Sequence, residues 1–199
     1  MAIVQGNDKQ NALFEAYTGR DEGCDGARIG PNGCAKLLAD LGLDVTDRRV
    51  LVLCALAKAE TQCEFSYEEL VGAFKEYKIN YLGDLKKVLD NYNSRMDRDF
   101  DAFMKVYKYT FDYVRMLGQK ALPVDDAISY WKILITTNYA LYPKFMQFLM
   151  EATNRPRGIT RDVWHVLPDF LKAVKTLDDY DENGCWPCVF DNFVEFARA

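Results

Sequence analysis

Histidine is almost missing from this chain: His165 is the only one in 199 residues. A Ser/His/Asp or Cys/His catalytic group would have to use it, yet it stands beside Trp164 with no nucleophile motif near it. No glycine-rich phosphate loop occurs, which removes the commonest nucleotide chemistry. No apolar run approaches the ~20 residues that span a bilayer. The start, MAIVQGNDKQ, lacks the basic-then-apolar layout of a secretory leader. A basic surplus is absent too: the net charge is −5 and the pI is near 5.0, against the electropositive face that nucleic-acid binding requires. No segment alternates apolar and polar residues as an exposed strand does. These absences leave a protein without membrane or nucleic-acid partners, expected in the cytoplasm or nucleus and expected not to be an enzyme in its own right.

What the chain does have is helical periodicity. With 49% hydrophobic residues it can bury a substantial core, as one domain or two closely packed subdomains. The spacing predicts a short opening helix ending near Tyr17, then helices over 33–43, 47–58, 66–77, 82–92, 99–115, 123–134, 143–152 and 160–177. A last helix runs from Pro187. Thr46 is a candidate N-cap, and Ser66-Tyr67-Glu68-Glu69 is a capping box. Pro187 suits a first helical turn, where a missing N–H is harmless. Pro168, inside the predicted 160–177 helix, removes a bond to the carbonyl of Trp164 and is expected to kink it. Residues near Ile29 and Gln62–Phe65 allow at most a tiny two-stranded bridge. The fold class is therefore all-α, about ten helices in two packed subdomains.

The six cysteines, at 24, 34, 54, 63, 185 and 188, follow no disulfide framework. Cys34 and Cys54 fall on apolar helical faces and read as buried free thiols, as in a reducing compartment. Cys185-Trp186-Pro187-Cys188 has C-x-x-C spacing at a helix start, where the helix dipole lowers a thiol's pKa. Thiol oxidoreductases of that kind place the motif after a strand in a βαβ frame, which is lacking here. Zinc would need a second ligand pair.

Two loops look like damaged calcium sites. Asp179–Phe190 opens correctly as Asp-x-Asp-x-Asn-Gly, but its twelfth position is Phe190 rather than a bidentate Glu. Asp21–Asn32 has Gly23 at its third position and Asn32 at its twelfth. Helix–loop–helix geometry without metal ligands is the expectation, so neither a metal nor any other cofactor is predicted. A degenerate calcium sensor stays open as an alternative reading, and a C-x-x-C oxidoreductase as another.

The carboxyl end concentrates acid. From Thr160 onward Asp162, Asp169, Asp178, Asp179, Asp181, Glu182, Asp191 and Glu195 face only Arg161, Lys172, Lys175 and Arg198. In the last helix Phe190, Phe193 and Phe196–Ala197 recur at core spacing, while Asp191, Asn192, Glu195 and Arg198 share the wet side. Asp162 falls in a first helical turn, where the dipole favours a carboxylate, and shares a face with His165 and Asp169. A basic partner is the natural complement of this surface. A solvated face, with Asp162 only capping its helix, is the alternative.

Three ordered blocks carry a family resemblance: AETQCEF (Ala59–Phe65), GQKALPVDDAISYW (Gly118–Trp131) and YDENGCWPCVFDNFVEFAR near the end. They resemble the defective-in-cullin-neddylation proteins, whose potentiating-neddylation domain closes in a YDE-x-G-x-WP-x-x-x-D-x-F-V-E pattern. The resemblance implies such a domain over 28–199, with an EF-hand-like amino half about 28–92 and a helical cullin-binding half about 93–199. A short helix and loop over 1–27 precede it, too few residues for the ubiquitin-binding module that often stands there in the family. It implies a non-catalytic scaffold that binds the cullin carboxyl-terminal winged-helix domain through an acidic patch, here Asp162, Cys185 and Asp191. Cys185 stands where the family usually has Ala.

The resemblance also implies a pocket for the acetylated amino-terminal methionine of the neddylation conjugating enzyme, with a RING subunit completing the assembly. The matching pocket positions are Pro31, Cys34, Val50, Leu53, Cys54, Gln62, Cys63, Phe65, Tyr113 and Ile133. Burying a methionine side chain contributes ~1.5–3 kcal/mol, whereas a free charged amine beside it would cost several. Acetylation removes that charge. Val50, Leu53 and Phe65 read equally well as core.

Overall fold

The computed structural model describes residues 5–21 and 26–199. The chain divides into two compact units, one up to Tyr113 and one from Val114.

In the first unit the order is α1 (Asp8–Glu15), β1 (Arg28–Ile29), α2 (Pro31–Leu41), α3 (Arg48–Ala57), β2 (Phe65–Ser66), α4 (Tyr67–Glu76), α5 (Leu82–Met96) and α6 (Phe100–Val114). Its core is aliphatic and aromatic, with Phe14, Ile29, Leu37, Val52, Leu70, Val71, Phe74, Leu89, Tyr107 and Phe111 all buried. The expected bridge exists. Ile29 pairs antiparallel with Phe65, and Arg28 with Ser66.

Local chemistry fixes each helix end. Asn7 caps α1 reciprocally with Gln10, whose buried amide also donates to the carbonyls of Phe74 and Ile79, both at 3.1 Å. That anchors α1 to the end of α4. Ser66 and Glu69 form the predicted capping box of α4. The cap of α3 is Asp47 rather than Thr46: its carboxylate accepts from the Arg49 N–H at 2.9 Å, while Thr46 is engaged by Asp44. Glycine is required at Gly33, where a Cβ would lie 2.2 Å from the Tyr17 carbonyl oxygen.

Helix α5 runs a turn beyond its expected end. Met96 is buried, and Arg48 from α3 binds the Asn93 side chain at 2.6 Å and Asp97 at 2.7 Å. Arg49 adds an ion pair to Asp90 at 2.6 Å. These tertiary partners continue the helix where periodicity alone would stop it.

The second unit comprises β3 (Ala121–Pro123), α7 (Val124–Leu134), α8 (Tyr142–Glu151), β4 (Gly158–Thr160), α9 (Arg161–Ala173), a single 3-10 turn (Leu177–Asp179) and α10 (Cys188–Arg198). The strand pair β3–β4 has no counterpart in the sequence expectations. Ala121 pairs with Thr160, Leu122 with Ile159 and Pro123 with Gly158. Because β3 runs directly into α7 and β4 into α9, this ribbon fixes the starts of both helices together. Trp131 of α7 and Trp164 of α9 then stack 5.2 Å apart.

Helix α9 continues through Pro168, which is buried along with Val163, Trp164, Leu167, Phe170 and Leu171 of the same helix. The expected kink does not divide it. It stops at Ala173, earlier than the apolar spacing suggested. There the Asp179 carboxylate takes the N–H groups of Lys175 and Thr176 and the Thr176 hydroxyl, closing a turn instead of another helical repeat. Among the described residues no helix is long and apolar enough to cross a membrane.

Candidate functional site

The acidic surface is built in the second unit by aromatic packing. Phe170 of α9 stacks on Phe190 of α10 with ring centroids 4.2 Å apart. It also meets Trp186 edge-on at 5.3 Å and Phe193 at 6.1 Å. Phe145 of α8 joins Phe193 at 5.3 Å and Phe190 at 5.9 Å. Offset and edge-on pairs of this kind add to the area they bury, so α8, α9, the 180–187 loop and α10 are held as one body.

Cys185 and Asp191 are the sequence neighbours of Trp186 and Phe190, and the same packing sets their positions. Both are exposed. Asp162 is exposed in the first turn of α9, behind its N-cap Thr160, whose hydroxyl accepts from the Val163 N–H at 3.4 Å. Eight residues separate it from Phe170, about 12 Å along the helix axis. All three positions are thus carried by the packing of α9 against the 180–187 loop and α10.

The frame also orients Asp191. The Tyr180 hydroxyl donates to the Asp191 carboxylate, while the Tyr180 ring packs edge-on against Phe170 at 6.1 Å. Burial, then the adjacent carboxylate, hold the Tyr180 phenol well above its ordinary pKa, so it remains a donor. Neither Asp162 nor Asp191 is in an ion pair among the described residues. Beside Asp191 lies a groove of about 490 Å³ lined by Tyr180, Glu182, Asp191, Val194, Glu195, Arg198 and Ala199. Its guanidinium is already occupied, bonded to Glu182 at 2.7 Å and to the Leu177 carbonyl at 3.3 Å. An incoming cation would therefore meet carboxylate. Tyr180 was not foreseen as part of this site. Its signal was its place at the head of the acidic turn.

The calcium alternative finds its ligands otherwise employed. Asp179 closes the turn after α9, and Phe190, at the twelfth loop position, is fully buried. In the other loop the Asp21 carboxylate accepts from the Asn32 and Gly33 N–H groups at 2.9 and 3.2 Å, capping α2. Glu22–Asp25 of that loop lie outside the described residues. Cys185 and Cys188 are both free and exposed.

Most of the predicted pocket positions belong to the first unit, around the 58–66 loop. Lys58 ends α3 in the left-handed region. Glu69 then fastens both ends of the loop, accepting from the Glu60 N–H at 2.8 Å and the Ser66 N–H at 2.6 Å. Tyr109 of α6 donates to the Ala59 carbonyl at 2.8 Å, and the Gln62 side chain donates to the Tyr113 carbonyl at 3.3 Å. The Cys54 thiol lies 3.4 Å from the Tyr113 hydroxyl.

Cys34, Leu53, Cys54 and Phe65 are buried. Val50 and Tyr113 are half-buried, and Pro31, Gln62 and Cys63 are exposed. Burial pushes the Cys34 thiol up to about 12 and Cys54 up to about 11. Both are neutral sulfhydryls near neutral pH, suited to an apolar lining. Ile133 is half-buried on α7 in the second unit.

Residues 84–196 match the family described as cullin binding. The chain is 31% identical to "Defective in cullin neddylation protein 1" of Caenorhabditis elegans, over 94% of this chain and 70% of the nematode protein. It is 30% identical to the human "DCN1-like protein 5" and 29% identical to the Yarrowia lipolytica "Defective in cullin neddylation protein 1", over 94% of this chain and 76% of each relative. With that match spanning more than half its length, the chain belongs to the cullin-binding family of defective-in-cullin-neddylation proteins.

Proposed function

We propose that this protein is a non-catalytic co-factor of cullin neddylation. It grips the cullin carboxyl-terminal winged-helix domain through Asp162, Cys185 and Asp191. The observation that carries the reading is Asp191: exposed, in no ion pair among the described residues, aimed by the Tyr180 hydroxyl and mounted on the aromatic frame of α9 and α10. A fixed carboxylate offered to a basic neighbour gains orientation and on-rate without ordering itself on binding.

The first-unit loop residues around Tyr113 receive the acetylated amino-terminal methionine of the neddylation conjugating enzyme. Neutral, buried Cys34 and Cys54 favour an uncharged occupant there, and the Gln62 amide supplies a polar contact. Holding both partners makes transfer of the ubiquitin-like modifier effectively intramolecular, with a RING subunit completing the assembly.

Binding of the winged-helix domain by wild-type, Tyr180→Phe and Asp162→Ala/Asp191→Lys proteins tests the patch. The double variant is expected to lose binding, and Tyr180→Phe to weaken it several-fold with little change in fold. Undiminished binding by the double variant rejects the reading.

A further inference from the structure

Two cysteines of the first unit meet at one phenol, that of Tyr113. Cys54, buried on α3, places its sulfur 3.4 Å from the Tyr113 hydroxyl. The backbone N–H of Cys63 is directed at the same hydroxyl. Cys34 on α2 is a third, buried thiol of the same unit. All three thiols are free.

Their access differs. Cys63 is exposed and Cys54 is only 4% exposed. Cys63 also holds a positive φ of 59°, in the left-handed region that a side-chain-bearing residue rarely occupies. Cys63 lies outside any helix, whereas Cys54 is held within α3, so the exposed thiol is the one free to change its rotamer.

We propose that Cys63 and Cys54 are an oxidisable pair: a hydroperoxide converts them to a disulfide that closes the loop over Tyr113. The accessible sulfur reacts first. Cys63–SH and ROOH give Cys63–SOH and ROH, the peroxide O–O bond breaking as the sulfur is oxidised by two electrons. Cys54 then attacks that sulfur, the S–S bond forms, the S–OH bond breaks, and the hydroxyl leaves as water with the Cys54 proton. The Cys63 turn must bring the two Cα atoms within about 7 Å, the limit for an unstrained bridge. Cys34 has no comparable freedom, being held in the second turn of α2.

The consequence for binding rests on the pocket assignment above, but the linkage does not. The S–S bond would replace the contact between Cys54 and the Tyr113 hydroxyl and draw the 61–64 turn inward, narrowing the space for an acetylated methionine.

The test treats the intact native chain with hydrogen peroxide, blocks the remaining thiols, and maps disulfide-linked peptides by tandem mass spectrometry. The expected product joins Cys54 to Cys63, lacks two hydrogens, reverts with a dithiol reductant and persists in Cys34→Ser. It is absent from Cys63→Ser, an exposed position where folding is not at stake. A Cys34–Cys63 bridge, or Cys63 carried on to the sulfinic acid while Cys54 stays a thiol, overturns the proposal. In a parallel titration with an acetylated amino-terminal conjugating-enzyme peptide, the oxidised protein is expected to bind at least tenfold more weakly than the reduced. Formation of the linkage with unchanged peptide affinity would leave the thiol pair standing and defeat the pocket assignment.

Discussion

Phe170→Ala probes the frame that mounts the acidic surface. The Phe170 ring is fully buried, stacked on Phe190 and edge-on to Trp186, Tyr180 and Phe193. Truncating a buried phenylalanine costs about 3–5 kcal/mol. Aromatic pairs add ~0.5–1.5 kcal/mol beyond area, which favours the upper part of that range here. Trp131, Trp164 and Trp186 are the chain's three tryptophans, and all lie in the second unit. Tryptophan fluorescence therefore reports that unit selectively. At a urea dependence of roughly 2 kcal/mol per molar, a loss of about 4 kcal/mol moves the fluorescence midpoint down by about 2 M. Phe170→Leu, which keeps most of the volume, is expected to fall in between. A midpoint shift below roughly 0.5 M for the alanine variant, equal to about 1 kcal/mol, would show that the ring cluster does not hold α9 to α10. The account of how Asp191 is positioned would then fail as well.

Two further perturbations test other parts of the argument. The Tyr142 hydroxyl is buried with no hydrogen-bonding partner, and burial pushes its pKa up to about 12. A phenol whose folded pKa is raised binds its proton more tightly when folded, so its contribution is intact below pH 10 and is lost as pH rises towards 12. Tyr142→Phe should stabilise the second unit by about 1 kcal/mol near neutral pH and flatten its alkaline decline in fluorescence-detected melts. A destabilised variant would mean that the hydroxyl is satisfied. Glu69→Ala strips the acceptor from the Glu60 and Ser66 N–H groups together. It is expected to cost about 1–3 kcal/mol and to speed amide exchange at residues 60–66, while loss of stability without faster exchange there would refute the loop-pinning role.

The features legible in the sequence were those governed by local rules. The Ser66/Glu69 capping box and the apolar stripe of α9 depend on spacings of three or four residues, and the structure reproduces them, while Pro187, expected in the first turn of the last helix, stands one position earlier as its N-cap. The strand pair β3–β4 was not legible because each strand is three residues long and one ends in proline. Its pairing partner lies far away along the chain, and too few residues exist for alternation to register. The displaced ends of α5 and α9 have the same origin. Arg48 prolongs one helix and Asp179 closes the turn after the other, both through side chains that periodicity does not weigh. Of the surface, the exposure of Asp162 and Asp191 could be read from helix phase. The Tyr180–Asp191 bond could not, since it spans an irregular loop whose course follows from the packing of Trp186 on Phe170.

That contrast bears on how the two surfaces would behave under load. Asp191 is carried by a dense ring cluster, so little conformational entropy remains to be lost when a basic partner arrives, and the interaction should depend mainly on charge and salt. The 58–66 loop is held differently, by a few hydrogen bonds from Glu69, Tyr109 and Gln62, with left-handed residues at Lys58 and Cys63. Local opening is easiest where apolar packing is sparse and polar contacts are exposed. A partner that must leave after each transfer is better served by the second kind of site, and one that must stay oriented by the first. The division of labour proposed here follows from that difference: a rigid acidic frame for the acceptor, and an adjustable loop for the donor's tail.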